Sequence, residues 1–151
     1  MIARARPQLS LKGRALRYLS QREHSRSELE RKLAKHAQEQ AQVARVLDEL
    51  EARGFIDHQR VADSVVNRRS SKLGALRIRQ ELQAKGLDSE LVQAAMAGLR
   101  VSELERARSV WQRKFDGPPQ DASERAKQAR FLAARGFGAD VIARVLSLRG
   151  D

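Results

Sequence analysis

Ile78-Arg79-Gln80-Glu81-Leu82-Gln83-Ala84-Lys85-Gly86-Leu87 is the stretch whose reading decides the fold. Ile78 and Leu82 stand one helical turn apart with charged and amide side chains between them, the pattern of a helix with one apolar face. Gly86 can take the left-handed conformation that closes a helix, and the apolar residue after it can fold back onto the last turn. Leu91, Val92, Ala95, Met96 and Leu99 then resume helical spacing. The same punctuation, glycine followed at once by an apolar residue, stands at Gly54-Phe55 and Gly136-Phe137. Sliding the sequence by about 50 residues brings Leu33, Leu82 and Leu132 into coincidence. Val43 then falls near Leu91 and Val141, and Leu47 near Ala95 and Val145.

Outward from that frame, the other apolar stripes also have helical period. Leu16 with Leu19, Leu29 with Leu33, and Val43, Val46, Leu47 and Leu50 mark three helices. Val61, Val65 and Val66 mark a fourth, before the two of the central stretch. Leu104, Ala107 and Trp111, then Ala129 with Leu132, then Val141, Ile142, Val145 and Leu146 complete the set. No run alternates with the period of two that a strand requires. Ser25 with Glu28, Ser102 with Glu105 and Asp121 with Glu124 have capping-box spacing and mark helix starts. Gly117-Pro118-Pro119 cannot continue a helix and reads as a loop. The predicted class is all-α: about nine short helices in three tandem three-helix repeats, over 9–54, 56–100 and 102–149, behind a basic N-terminal arm, 1–8. Units that pack mainly on their neighbours predict an elongated, curved body.

The chain has 151 residues, 30 Lys and Arg against 19 Asp and Glu, and a net charge of +11. That balance favours polyanionic partners. The absence of cysteine rules out disulfides and thiolate metal sites and fits a reducing compartment, so a cytoplasmic location is expected. Arg4 and Arg6 precede no apolar segment of signal-peptide length, and no stretch reaches the roughly 18 apolar residues of a membrane span. His24, His36 and His58 lie on separate elements without metal-ligand spacing, and read as surface or capping residues. Glu28, Glu30, Glu49 and Glu51 alternate with basic residues in the manner of solvated helix faces. No phosphate-binding glycine loop is present. No catalysis, metal or cofactor is expected.

Two tracts carry cations and no carboxylate of their own. Met1 to Arg22 holds Arg4, Arg6, Lys12, Arg14, Arg17 and Arg22; Ser64 to Gln80 holds Arg68, Arg69, Lys72, Arg77 and Arg79. The second crosses a helix end, a Ser-Ser-Lys-Leu-Gly turn and the next helix start, so its cations are predicted to converge on phosphate oxygens, which suit the planar guanidinium fork. Aromatic content is 4%, and Tyr18, Phe55, Trp111 and Phe137 fall at or near core positions. Contact with DNA should therefore be electrostatic, salt-sensitive and indifferent to sequence. A rival reading is a helix-turn-helix regulator of duplex DNA, with turns at Ala84-Lys85-Gly86-Leu87-Asp88 and Ala134-Arg135-Gly136-Phe137-Gly138. Asp88, Ser89, Glu90 and Gln93 are poor material for its recognition helix.

Arg22-Glu23-His24-Ser25-Arg26-Ser27-Glu28-Leu29 resembles the opening signature of the RecX family of regulatory proteins. Gly54-Phe55-Ile56-Asp57 with Arg60 and Ala62, the central stretch from Ile78 to Leu87, and Arg130-Phe131-Leu132-Ala133-Ala134-Arg135-Gly136-Phe137 come in the family's order and spacing, over roughly residues 9 to 149. His58 stands where the family usually has an acid, and Val61 where phenylalanine is common. The resemblance implies tandem three-helix repeats and a partner, the RecA–DNA filament. It implies a non-enzymatic regulator of recombination, DNA repair and the SOS response. Such a regulator lodges in the filament groove and inhibits RecA ATP hydrolysis, strand exchange and co-protease activity. Under this reading Arg68, Arg69, Lys72, Arg77 and Arg79 meet RecA acids or the phosphates of single- or double-stranded DNA, supported by Arg14, Arg17, Arg22 and Arg26. A monomer is the simplest state for a groove binder.

Overall fold

The computed structural model describes residues 8–147. Arg4 and Arg6 of the N-terminal arm, and residues 148–149 of the third predicted unit, lie outside the described residues. Among the described residues there are eight α-helices and no strand: α1 (Leu11–Gln21), α2 (Arg26–Ala34), α3 (Gln40–Ala52), α4 (His58–Arg69), α5 (Ala75–Ala84), α6 (Ser89–Lys114), α7 (Ala122–Ala134) and α8 (Ala139–Ser147). The chain divides into two compact units, with the division inside α4, after Val61.

In the first unit α1, α2 and α3 pack on one another around Ala15, Leu29, Leu33, Val43, Leu47, Leu50 and Ile56. The starts of two helices are held by side chains. Ser10 accepts from the Gly13 N–H at 3.0 Å at the head of α1. At α2 Ser25 and Glu28 form the full reciprocal capping box. Burial of both residues raises the cost of leaving those N–H groups unpaired.

In the second unit α5 packs on α6, and α6, α7 and α8 pack together around Ala107, Val110, Leu132, Phe137, Ile142, Val145 and Leu146. Two of the nine expected helices are one. The stripes ending at Leu99 and beginning at Leu104 belong to α6, 26 residues and about 39 Å long at the helical rise. The boundary expected between the second and third units, at residue 101, falls inside it. Ser102 therefore starts no helix; its hydroxyl donates back to the Leu99 carbonyl and accepts from Arg106 Nε. The buried stripe of α6 runs unbroken through Val92, Met96, Leu99, Glu103, Ala107 and Val110, and the capping-box spacing of Ser102 and Glu105 is what reads in the sequence as a new helix start. Glu103 is buried there because its Oε1 accepts from the Ala75 N–H at the start of α5, a position where negative charge is also favoured by the helix dipole.

All three closing glycines have positive φ, and each gives the expected backbone bonds: Phe55, Leu87 and Phe137 N–H to the carbonyls of Leu50, Leu82 and Leu132. Leu87 and Phe137 bury as expected. At Gly54 it is Ile56 that buries, whereas Phe55 is 45% exposed and is not the core residue that its position suggested. The one-residue offset arises because Ile56 N–H also turns back to Leu50.

Gly136 meets a second glycine that the repeat pattern does not reveal. Gly74 N–H donates to the Arg135 carbonyl at 2.7 Å, and Leu76 N–H to the Gly136 carbonyl at 3.0 Å. The turn before α5 and the turn after α7 thus touch backbone to backbone, with no room for a Cβ on either glycine.

Candidate functional site

Within each unit the predicted site cations differ in what they meet. In the first unit Arg22 Nη2 binds Glu28 Oε2 at 2.7 Å. Arg26 is enclosed by Glu30, Asp48 and Glu51, with Asp48 nearest at 2.7 Å, and also donates to the Ala44 carbonyl. Its guanidinium, already charged at any relevant pH, is held still more firmly so by those acids against the opposing effect of burial. Arg14 and Arg17 have no ion pair among the described residues, and Arg17 is exposed. In the second unit Arg69 binds Glu81 Oε1 through Nε and Nη2 at 3.3 and 3.1 Å. Arg68, Lys72 and Arg79 are exposed and without an ion pair among the described residues.

The two tracts are therefore less free than their composition suggests. Their acids come from elsewhere in the chain: Glu49 meets Lys12 at 2.8 Å, Glu28 meets Arg22 and Glu81 meets Arg69. The Lys12 ammonium beside it draws Glu49 below the ordinary carboxylate value.

Arg77 and Arg79, adjacent in the expected site, leave α5 on opposite flanks, because two residues along a helix are about 200° apart in rotation. Arg77 turns toward the end of α7. Its Nη1 donates to the Ala134 carbonyl at 3.1 Å, and its backbone and stem cover Gly136. It is a packing and capping residue. Arg79 turns the other way, onto the groove between α5 and α6.

The turn that joins α4 to α5 is fixed by two arginines outside both tracts. Arg106 Nη1 donates to the carbonyls of Ser70 and Leu73, each at 2.9 Å, its Nη2 to Leu99 and its Nε to Ser102 Oγ. Arg113 Nη2 donates to the Ser71 carbonyl at 2.6 Å. Burial lowers the Arg106 pKa from its ordinary value, and the nearby Glu103 carboxylate works against that shift. Neither arginine stands out in the sequence. Both lie on one long helix among many charges, and their targets are carbonyls that no side-chain pattern marks. The result is a rigid turn that presents Lys72 outward, between Arg68 at the end of α4 and α5.

The motif that opens at Arg22 is spent on folding. His24, expected at the surface or in a cap, is buried. Its Nδ1 lies 3.0 Å from the Arg22 carbonyl and its Nε2 3.0 Å from Lys32 Nζ, with the Tyr18 ring at 5.7 Å. The ammonium can only donate, so Nε2 accepts and Nδ1 carries the proton. His58 is the capping histidine: Nε2 accepts from the Arg26 N–H at 3.2 Å. Asp57 Oδ1 accepts from the Arg60 N–H at the start of α4, so the missing acid at position 58 leaves that cap intact. Of the aromatics, Phe137 is buried, and Trp111 is half-buried with its Nε1–H on Gln128 Oε1 at 2.8 Å.

Burial pulls the His24 pKa below the ordinary imidazole value, with Arg22 and Lys32 adding to the effect. With the folded value depressed, its contribution to stability is complete above the unfolded value near 6.5. It is lost as pH falls from there toward the folded value, because the unfolded chain takes the proton first. Urea unfolding between pH 8 and 5 should show stability falling below about 6.5, by at most about 1.4 kcal/mol per pH unit from this group. His24→Gln should flatten that part of the profile; an unaltered slope in the variant would assign the loss to another group.

Among the described residues no three His, Asp or Glu side chains stand together as metal ligands, and no helix is long and apolar enough to cross a membrane.

Sequence comparison bears on the same elements. Family models described as the first, second and third three-helix domains of RecX match residues 12–50, 57–96 and 102–146. Relatives named Regulatory protein RecX include one from Leptothrix cholodnii, 55% identical over 97% of this chain and 94% of its own length. Another, from Ralstonia nicotianae, is 48% identical over 96% and 91%. The fold resembles the crystal structure of RecX from Lactobacillus salivarius, with a TM-score of 0.75 and 21% identity over 90% of this chain and 92% of that one. A further RecX crystal structure gives a TM-score of 0.76 at 23% identity, over 89% of this chain and 70% of that one. With three domain models matching in order along the helices and near relatives aligned almost end to end, the chain belongs to the RecX family of regulatory proteins.

Proposed function

We propose that this chain is a non-enzymatic, cytoplasmic regulator of recombination and DNA repair that binds the RecA–DNA filament as a monomer, in its groove. There it inhibits RecA ATP hydrolysis, strand exchange and co-protease activity. On this reading the family's three-helix domains, expected over 9–54, 56–100 and 102–149, are the units that would line the groove. The observation that carries the reading is the α4–α5 turn. Arg68 and Lys72 stay exposed and without an acid partner among the described residues, while Arg106 and Arg113 hold their turn in one shape, and Arg79 stays exposed on the neighbouring α5. Cations held in advance lose less entropy on meeting phosphates or carboxylates. Arg14 and Arg17 are the supporting candidates in the first unit. Arg22, Arg26 and Arg69 enter the site only by sharing or exchanging their present acids, and Arg77 only by leaving its carbonyl.

The helix-turn-helix rival is disfavoured by the charge of the helices after Gly86 and Gly136. They begin with exposed Asp88 and Glu90, and with exposed Asp140, where approach to a duplex would bring carboxylates against phosphates.

Titrating the protein into RecA hydrolysing ATP on single-stranded DNA, at moderate salt, tests the proposal. Inhibition is expected at concentrations that barely occupy bare DNA. The double reversal Arg68→Glu with Lys72→Glu should raise the half-inhibitory concentration at least about tenfold, with helix content unchanged by circular dichroism. Equal inhibition by the variant would remove this turn from the site. No inhibition by the parent chain would end the regulator reading.

A further inference from the structure

Between α5 and α6 lies an open groove of about 510 Å³, lined by Arg79, Gln83, Leu87, Ser89, Val92, Gln93, Met96 and Arg100. Its apolar part is Leu87, Val92 and Met96, each under a tenth exposed. Arg79 on α5 and Arg100 on α6 are exposed, without an ion pair among the described residues. No carboxylate lines the groove; Asp88 and Glu90 flank Ser89 in sequence but are not part of the wall.

We propose that this groove docks an acidic protein segment that carries an apolar anchor. The anchor side chain seats on Leu87, Val92 and Met96, and flanking carboxylates pair with Arg79 and Arg100. Two features favour such a segment over DNA, and a third sets its charge. The floor is aliphatic and thioether, with no ring on which a base could stack; methionine adapts its shape to an inserted side chain. Gln83 and Gln93 each offer an amide donor and an acceptor, as the backbone of a peptide requires. Two guanidinium groups with no acid of their own are complementary to carboxylates, and complementary charge fixes register and excludes basic competitors. The inference deepens the filament reading and rests on it for the partner's identity: the segment belongs to the protein subunits of the filament, not to its DNA. Arg79 is thereby a protein contact, and the phosphate-facing cations are Arg68 and Lys72.

Fluorescence anisotropy of the full chain tests the groove with three labelled probes. One is a short peptide of leucines set among glutamates, the second is the same peptide with serines for leucines, and the third is a single-stranded oligonucleotide. The leucine peptide should bind and the serine peptide should bind at least about tenfold more weakly. Arg100→Glu should weaken the leucine peptide about tenfold, equivalent to about 1.4 kcal/mol. It should weaken the oligonucleotide no more than Arg144→Glu, the same charge change at an exposed position of α8. Gln93→Glu, a second exposed substitution in the wall, should also weaken the peptide. Failure of the parent chain to bind the leucine peptide, equal binding of both peptides, or a loss confined to the oligonucleotide would each overturn the docking site. RecA ATP hydrolysis separates the two proposals. If the parent chain inhibits and Arg100→Glu inhibits equally well, the groove assignment falls and the regulator reading stands. If the parent chain does not inhibit, the regulator reading falls whatever the peptides do.

Discussion

Gly74→Ala is expected to destabilise the protein by about 3 kcal/mol or more, lowering the melting temperature by roughly 10 °C. Gly98→Ala should stabilise it by about 0.5 to 1 kcal/mol. The opposite signs come from surroundings alone. A Cβ on Gly74 would overlap the carbonyl group of Gly136 and the backbone nitrogen of Phe137. Backbone on both sides cannot step aside as a flexible side chain can. Relief requires the α7–α8 turn to withdraw, which stretches the bonds from Gly74 N–H to Arg135 and from Leu76 N–H to Gly136. Phe137, held directly after that turn, is among the largest fully buried side chains, so the displacement reaches the core. Gly98, in the interior of α6, has nothing within 4 Å of an added Cβ. There the alanine methyl reduces the freedom of the unfolded chain and supports the helix. Thermal melts of the two variants beside the parent chain decide it. A Gly74→Ala protein within about 0.5 kcal/mol of the parent would mean that the two turns are not packed as described.

Much of this fold is legible in the sequence because its periodic residues meet nearby partners. Leu33, Leu82 and Leu132 are all fully buried at equivalent helix positions, and the glycines after α3, α5 and α7 all have positive φ. Ser25 and Asp121 cap where their spacing predicts, each accepting from the N–H three residues on. What escaped the sequence depends on contacts between distant residues. Glu103 is buried against the Ala75 N–H, 28 positions earlier, a partner that no local spacing announces. Gly74 reads only as the last residue of a Ser-Ser-Lys-Leu-Gly turn until Gly136 is placed against it. The charge environment of the candidate site is less legible for the same reason. A tract without acids of its own looks uniformly positive, but Glu28, Glu49 and Glu81 fold onto it from outside. Adjacent arginines look like neighbours, whereas Arg77 and Arg79 serve opposite flanks of one helix. Charge in a folded protein is a property of surfaces, and linear counting cannot assign it to them.

Arg106→Lys is expected to cost about 2 to 4 kcal/mol, although it keeps the charge and most of the stem. Arg106 satisfies the carbonyls of Ser70, Leu73 and Leu99 and the hydroxyl of Ser102 through one planar group, from a half-buried position. A lysine ammonium is a single point with three donors and cannot reach both ends of that fan. At least one carbonyl of the α4–α5 turn would lose its partner, and burial of the charge, already unfavourable for the guanidinium, would be compensated less well. The damage should be local before it is global. Gly74 N–H, bound to Arg135, and Ala75 N–H, bound to Glu103, should exchange with deuterium at least about tenfold faster in the variant, while amides in the core of α3 keep their protection. Because the same turn presents Lys72, the RecA inhibition proposed for this chain should weaken in the variant as well, under conditions where the chain remains folded. Urea unfolding together with hydrogen exchange makes the test. If Arg106→Lys unfolds at the parent's midpoint with Gly74 equally protected, the turn owes its shape to Arg113 and the glycine contact. The rigidity assigned to Arg106 would then be withdrawn.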